Sequence, residues 1–354
     1  MVGNILIYRV GFLGDIVCAL PAMVAVRKRF PDAKIVLLTN KEKRGRPDPE
    51  AVLSGNDFLD EIITYETEKI RDIKYLWNLV WNLRSFKFDL VVYLSLFKGT
   101  KERLVRDWLF FSFARCRRKV GFKLAIPDGD YSVSEGVSFP KYPKEVERLM
   151  ALLRPLGIDQ TDVEFRLPLL RDDIAFVDRI WREHNLFFVR PLVAISPGGK
   201  FQTQRWFWER YAKTAHELIE RYGAKIILIG GPGDREEGNQ IARFTGSRVI
   251  NLIGKLNYMQ SGEAIRRCSL LVSNDSGPVH LAAAVGTPVV GIYSARNHPE
   301  TWHPWGDIHT ILRNDLISCR FCRLTECETR ECLKGISVSQ VIEACRFHLV
   351  DIKT

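Results

Sequence analysis

The chain has 354 residues, room for two domains with full cores, and 46% hydrophobic and 27% charged residues mark it as folded and globular. A formal net charge of +10 draws in anions, whether nucleic acid, anionic lipid or phosphorylated small molecules. Residues 270–293, the longest apolar stretch, are interrupted by Asn274, Asp275, His280 and two prolines, so no bilayer span is predicted, and the N-terminus lacks the basic and long apolar segments of a secretory signal. The expectation is a cytoplasmic protein whose eight cysteines are thiols.

Short β-branched apolar runs alternate with stretches of helical period, the signature of βαβ units around parallel sheets. In the first half, strands are predicted at residues 5–8, 35–38, 62–64 and 90–94, with helices at 15–29 and 70–83. The second of these helices sets Ile70, Ile73, Trp77, Val80 and Trp81 near one face. Residues 165–170 form an extended, proline-containing link. The alternation then restarts, with strands at 192–195, 226–229, 270–273 and 289–292 and helices near 207–221, 235–245 and 259–268. Gly223 falls where a left-handed C-cap belongs. A last helix, 338–349, follows a cysteine-bearing tail. The predicted organisation is two doubly wound α/β domains facing a cleft, 1–170 and 171–335. A C-terminal segment, 336–354, is set apart, its helix packing back on the first domain.

Three strand-to-helix loops carry polar chemistry. The first is Arg9-Val10-Gly11-Phe12-Leu13-Gly14-Asp15, beyond the carboxyl end of strand one, where open α/β sheets bind ligands. Gly11 and Gly14 permit a tight turn, and Asp15 either caps the helix or points into the cleft. The G-x-x-G spacing is not the G-x-G-x-x-G of a nicotinamide site. The second loop, Ser196-Pro197-Gly198-Gly199-Lys200 followed by Gln204-Arg205-Trp206, offers N–H donors and basic side chains to phosphate. The third, Ser273-Asn274-Asp275-Ser276-Gly277-Pro278-Val279-His280, opens a short helix of small residues whose unpaired N–H groups form an anion site. His280 stands in its first turn, in reach of a phosphate oxygen.

Together these loops resemble glycosyltransferase family nine, the heptosyltransferase family. The resemblance is carried by Ile5-Leu6-Ile7 with Gly14-Asp15 and Leu20-Pro21, by Ser196-Pro197-Gly198, by Ile229-Gly230-Gly231-Pro232-Gly233-Asp234, and by the run from Asn274 to Ala282 with Gly286-Thr287-Pro288. It implies a GT-B-type fold of two Rossmann-like domains, the first binding the acceptor through Arg9, Gly11 and Gly14. The second would bind a nucleoside-diphosphate sugar through Gly198, Gly199, Lys200, Arg205, Gly230, Gly231, Asp275, Ser276, Gly277 and His280. It further implies an inverting transfer that needs no metal or other cofactor, with Asp15 as general base, heptose as the default sugar and a lipopolysaccharide-type or other glycan as acceptor. The chain departs from the family at Gln204, where a lysine that contacts phosphate is common, and at Phe207, where proline usually follows the tryptophan. A sugar-nucleotide epimerase or hydrolase, or a non-catalytic nucleotide- or carbohydrate-binding protein, are the alternatives.

Other signals stand outside that frame. Asp128-Gly129-Asp130 matches a metal-binding D-x-D pattern but is first a hairpin turn. Cys319-x-x-Cys322-x4-Cys327-x4-Cys332 has the spacing of a four-thiolate zinc site or of a compact loop of reduced thiols. Residues 84–119 hold ten basic and three acidic residues interleaved with Trp108, Phe110, Phe111 and Phe113. That mixture suits an anionic membrane surface or lipid-linked acceptor, and so a peripheral protein on the inner face of the membrane. No nucleic-acid reading module is recognisable.

Overall fold

The computed structural model describes residues 2–41, 48–94, 101–122 and 142–350, together with the backbone of 131–134 and 137–140. Backbone contacts divide the chain after Pro168 into two units. In the first, β1 (Asn4–Tyr8), α1 (Leu13–Arg29), β2 (Lys34–Lys41), α2 (Pro49–Leu53), β3 (Glu61–Glu66), α3 (Ile73–Ser85), β4 (Leu90–Tyr93), α4 (Lys101–Phe113) and β5 (Arg118–Val120) alternate. The strands form one parallel sheet in the order β3-β2-β1-β4-β5. A hairpin of β6 (Tyr131–Ser134) and β7 (Val137–Pro140) follows, then α5 (Glu145–Ala151), which packs on α1. Ile5, Leu6 and Ile7 are wholly buried, as a central strand covered on both faces requires.

The second unit contains α6 (Arg171–Glu183), β8 (Leu192–Ser196), α7 (Trp208–Tyr222), β9 (Lys225–Leu228), α8 (Arg235–Thr245), β10 (Val249–Asn251), α9 (Tyr258–Arg266), β11 (Leu270–Asn274), α10 (Gly277–Ala284), β12 (Val289–Tyr293), β13 (Thr310–Arg313), α11 (Glu331–Lys334) and α12 (Val338–Leu349). Its sheet is parallel throughout, in the order β10-β9-β8-β11-β12-β13. Helix α7 ends at Gly223, whose φ of +67° is the left-handed cap expected there. In each sheet the chain reverses its winding beside the first strand, between β1 and β4 and between β8 and β11. Ligands of doubly wound folds bind at such switch points.

One expectation needs correction. The terminal helix α12 belongs to the second unit, where it lies on α7 and the ends of β11, β12 and β13. Val341, Ile342, Cys345 and Leu349 are buried in that unit's core. A fully buried aliphatic side chain contributes about 1.5–3 kcal/mol, so this face is enough to fix the helix where it lies. The stripe on α3 keeps its helical spacing, and the structure shows where it faces. Val80 is buried, but Ile73 is 82% exposed and Trp77 and Trp81 are each 52% exposed. The helical period is present, yet it turns most of its apolar side chains toward α4 and solvent.

Candidate active site

All three predicted loops stand at the carboxyl ends of strands beside the switch points. In the first unit Arg9 follows β1 with no exposed surface. Its guanidinium donates to the Asp15 carbonyl at 2.9 Å, to the Leu94 carbonyl across the switch point at 3.3 Å, and to Glu145 Oε1 at 3.0 Å. Arg148 grips the same Glu145 carboxylate at 2.7 and 2.8 Å. A buried cation is tolerable only when paired in this way. Asp15 lies in the first turn of α1, not at its cap, which is Phe12. Its Oδ2 accepts the Phe12 N–H at 2.7 Å, and its Oδ1 stands 3.6 Å from Arg9 Nη2. Gly11 has φ +146°, and a Cβ there would come within 2.5 Å of the Asp15 Cβ. Its N–H donates to Asn40 Oδ1 at 2.8 Å. Gly14 shares the half-exposed first turn with Asp15. The result is a carboxylate held at a strand end by a backbone donor and a buried cation, with a small part of its surface exposed.

In the second unit the other two loops are clasped by one wholly buried side chain, Asn274. Its Nδ2 donates to the Pro197 and Gly198 carbonyls at 2.6 and 3.0 Å. Its Oδ1 accepts the Trp206 N–H at 3.0 Å and the Tyr211 hydroxyl at 2.9 Å. Asn274 therefore ties β8 to β11 across the switch point, as Arg9 ties β1 to β4. Gln204 donates to the Asp275 carbonyl at 3.0 Å and to Asp275 Oδ2 at 3.1 Å, so the residue in the family lysine's place braces the third loop. Asn297 reaches the same carboxylate at 3.3 Å. Burial raises the Asp275 pKa above the usual carboxylate range, and the bonds from Gln204 and Asn297 oppose that rise.

Beyond the Asp275 carboxylate, α10 opens with Ser276, Gly277 and Pro278, all half-exposed, at the carboxyl end of β11. His280, in its first turn, is buried with its ring edge-on to Trp302 at 6.3 Å. Tyr258 donates its hydroxyl to the Gly277 carbonyl at 3.3 Å. Lys200 is exposed, its ammonium 4.8 Å from the Phe201 ring centroid. Arg205 is already engaged, with Asp234 at 2.7 Å, Glu237 at 2.6 Å and the Gly199 carbonyl at 2.9 Å. The Asp234 carboxylate sits in a glycine notch. It accepts the Gly231 N–H at 3.0 Å, and a Cβ on Gly198 or Gly230 would stand 2.3 or 3.0 Å from its Oδ2. Gly198 of the second loop and Gly230 beyond β9 thus make room for a protein carboxylate.

Asn274, Gln204 and Asp234 stand in the quoted motifs without having been read as supports of the site, and Asn40 and Glu145 were not read from the sequence at all. Asn40 meets Gly11 29 residues away and Glu145 meets Arg9 136 residues away, so spacing gave no signal. The four tail cysteines are free thiols, with Cys319 and Cys322 exposed and Cys327 and Cys332 half-buried. The Cys327 sulfur accepts the Arg330 N–H at 3.4 Å. Among the described residues no group of three Cys, His, Asp or Glu side chains is placed to hold a metal ion. Asp128 and Asp130 lie outside the described residues.

A core heptosyltransferase of Haemophilus influenzae, "Lipopolysaccharide core heptosyltransferase OpsX", is 23% identical over 87% of this chain and 84% of its own. A family-nine glycosyltransferase from Veillonella parvula superposes with a TM-score of 0.75 at 21% identity, covering 99% of this chain and 97% of that one. The E. coli structure described as ADP-heptose lps heptosyltransferase II follows with a TM-score of 0.68 at 22% identity, covering 99% and 100%. The two parallel α/β sheets are those of the GT-B type. The model of "Glycosyltransferase family 9 (heptosyltransferase)" matches residues 108–332, well over half of the sequence, and the chain belongs to that glycosyltransferase family.

Proposed function

We propose that this enzyme moves a heptose from a nucleoside-diphosphate heptose, ADP-heptose by likeness to its relatives, onto a sugar of a lipopolysaccharide core. The transfer inverts the anomeric centre and needs no divalent cation. The observation that carries this is Asp15, held at the first switch point by the Phe12 N–H and the buried Arg9. Asp15 takes the proton of the acceptor hydroxyl as its oxygen attacks the anomeric carbon from the face opposite the diphosphate. The bond from that carbon to the diphosphate oxygen breaks, and both electrons leave with the nucleoside diphosphate. The N–H groups that open α10, with His280 and Lys200, meet the growing charge. The acidic side chains beside these loops are already bonded within the protein, Asp234 by Arg205 and Asp275 by Gln204 and Asn297, which leaves the helix start as the counter-charge. Arg205 and Asp275 shape the donor loops through those bonds.

No helix among the described residues is long and apolar enough to cross a membrane. Attachment is peripheral, on the inner leaflet, through the basic and aromatic stretch 84–119. There Trp108 and Phe113 are 47% and 64% exposed, while Phe111 packs inward on Tyr8. The test of the chemistry is an NMR time course of ADP-heptose with a core acceptor in a chelating buffer. An inverted anomeric signal formed at the same rate with and without added magnesium supports the proposal. Retention of configuration, or a rate that returns only with metal, refutes it.

A further inference from the structure

Charges of alternating sign run inward from the candidate base: Asp15 in α1, Arg9 at the end of β1, then Glu145 and Arg148 in α5, which packs on α1. Arg9 is wholly buried, Glu145 is 1% exposed and Arg148 6%. The Arg9 guanidinium stands between two carboxylates, its Nη2 3.6 Å from Asp15 Oδ1 and its Nη1 3.0 Å from Glu145 Oε1. Its Nε and Nη2 also donate to the Asp15 carbonyl, at 3.2 and 2.9 Å, so the place of Arg9 sets that of the residue. Arg148 donates to both Glu145 oxygens, at 2.7 and 2.8 Å. The field of Glu145 reaches into α1. Burial first, and the Glu145 charge next, raise the thiol pKa of Cys18, one turn beyond Asp15, while Arg9 and Arg148 oppose that rise.

So deeply buried, Glu145 does not touch a substrate and acts through Arg9. Two effects follow from its charge. It fixes the guanidinium that holds the Asp15 backbone, because a buried cation stays where its partner is. It also offsets the pull of that guanidinium on the Asp15 carboxylate. A cation beside a carboxylate favours the charged form and makes it a weaker base, and a second carboxylate on the same cation works against this. Arg148 supplies the second cation that the burial of Glu145 requires.

We propose that Glu145 is a positioning residue of the transfer, which through Arg9 orients Asp15 and keeps it basic enough to take the acceptor's proton. This rests on Asp15 as the general base. Glu145→Gln keeps the side chain's shape and an oxygen for Arg9 but removes the charge, and Arg148→Met removes the opposing cation. The readout is the Asp15 carboxyl itself, titrated by carbon NMR in enzyme labelled at its aspartate carboxyls, with its resonance assigned by its absence from Asp15→Asn. The Asp15 midpoint should fall by about one pH unit in Glu145→Gln and rise by about as much in Arg148→Met. The acid limb of kcat should move the same way in each variant. In Glu145→Gln kcat should fall about tenfold or more while KM for the donor stays within about twofold. Arg148→Met leaves Glu145 paired with Arg9, so it carries the test where Glu145→Gln folds poorly. Midpoints that do not move, or that move in the same direction in both variants, would overturn the proposal and reduce Glu145 to packing. Midpoints that move oppositely while the acid limb of kcat stays in place would overturn the base reading, and the positioning role with it.

Discussion

Asn274→Asp keeps the side chain's shape and both of its acceptor bonds, yet sets a second oxygen against two buried carbonyls. The lost donors reach the Pro197 carbonyl at 2.6 Å and the Gly198 carbonyl at 3.0 Å. A buried group left without its partner costs about 1–3 kcal/mol, and two of them set a range of about 2–6 kcal/mol. Protonation of the new carboxyl returns one donor, so about 3–4 kcal/mol is the working figure at pH 8. One kcal/mol moves Tm by about 2–4 °C in a unit of this size, which gives a fall of about 6–16 °C for the second unit in differential scanning calorimetry. ADP affinity should drop at least tenfold, because the glycine loop and the start of α10 lose their common anchor. The deficit should shrink as pH falls, since only the neutral acid can donate. A variant within 2 °C of the parent at pH 8 would show that the clasp does not hold the donor loops.

Gly11→Ala sets a Cβ within 2.5 Å of the Asp15 Cβ at a φ of +146°. It should lower kcat about a hundredfold by displacing the base, and a kcat within twofold of the parent would count against that geometry. Asp275→Asn should be more stable than the parent at neutral pH, because burial raises the folded-state pKa and so penalises the charged form. The advantage should shrink as pH falls through that raised pKa and be gone below the unfolded-state pKa, where the carboxyl is neutral in both states. An advantage independent of pH in urea titrations would contradict this. Co-sedimentation with liposomes should rise with anionic lipid and fall with salt, each nearby cation contributing on the order of 1 kcal/mol. Arg115, Arg117 and Arg118 to Gln should weaken it without loss of fold. Arg103 and Arg106 are left in place because both pair with the buried Asp107. Indifference of the parent to anionic liposomes at low salt would remove the membrane claim.

The central strands were legible because a strand covered on both faces is a continuous β-branched run, and Ile5 to Tyr8 or Val289 to Tyr293 reads as nothing else. The edge strands β5, β10 and β13 were not. They are three or four residues long and carry Arg118, Lys119, Asn251 and Arg313. Helix α12 showed its ends, with Ser337 and Gln340 forming a capping box, but a cap does not say which surface the helix will cover. The α3 stripe illustrates the same limit. Periodicity gathers Trp77 and Trp81 on one face and cannot tell a core from an open groove. Of the site, the loops and Asp15 were visible as motifs, whereas the Arg9–Glu145 pair spans 136 residues and exists only after folding.

The most direct test of the account is Asp15→Asn, assayed for heptose transfer and for ADP affinity on the same preparation. A positioned general base contributes about 10²–10⁴-fold, so turnover should fall by that factor. Donor affinity should stay within twofold, because Asp15 lies in the first unit and the donor loops in the second. Undiminished turnover would remove Asp15 from the mechanism, and loss of turnover together with loss of ADP binding would show that it acts through structure, not as the base.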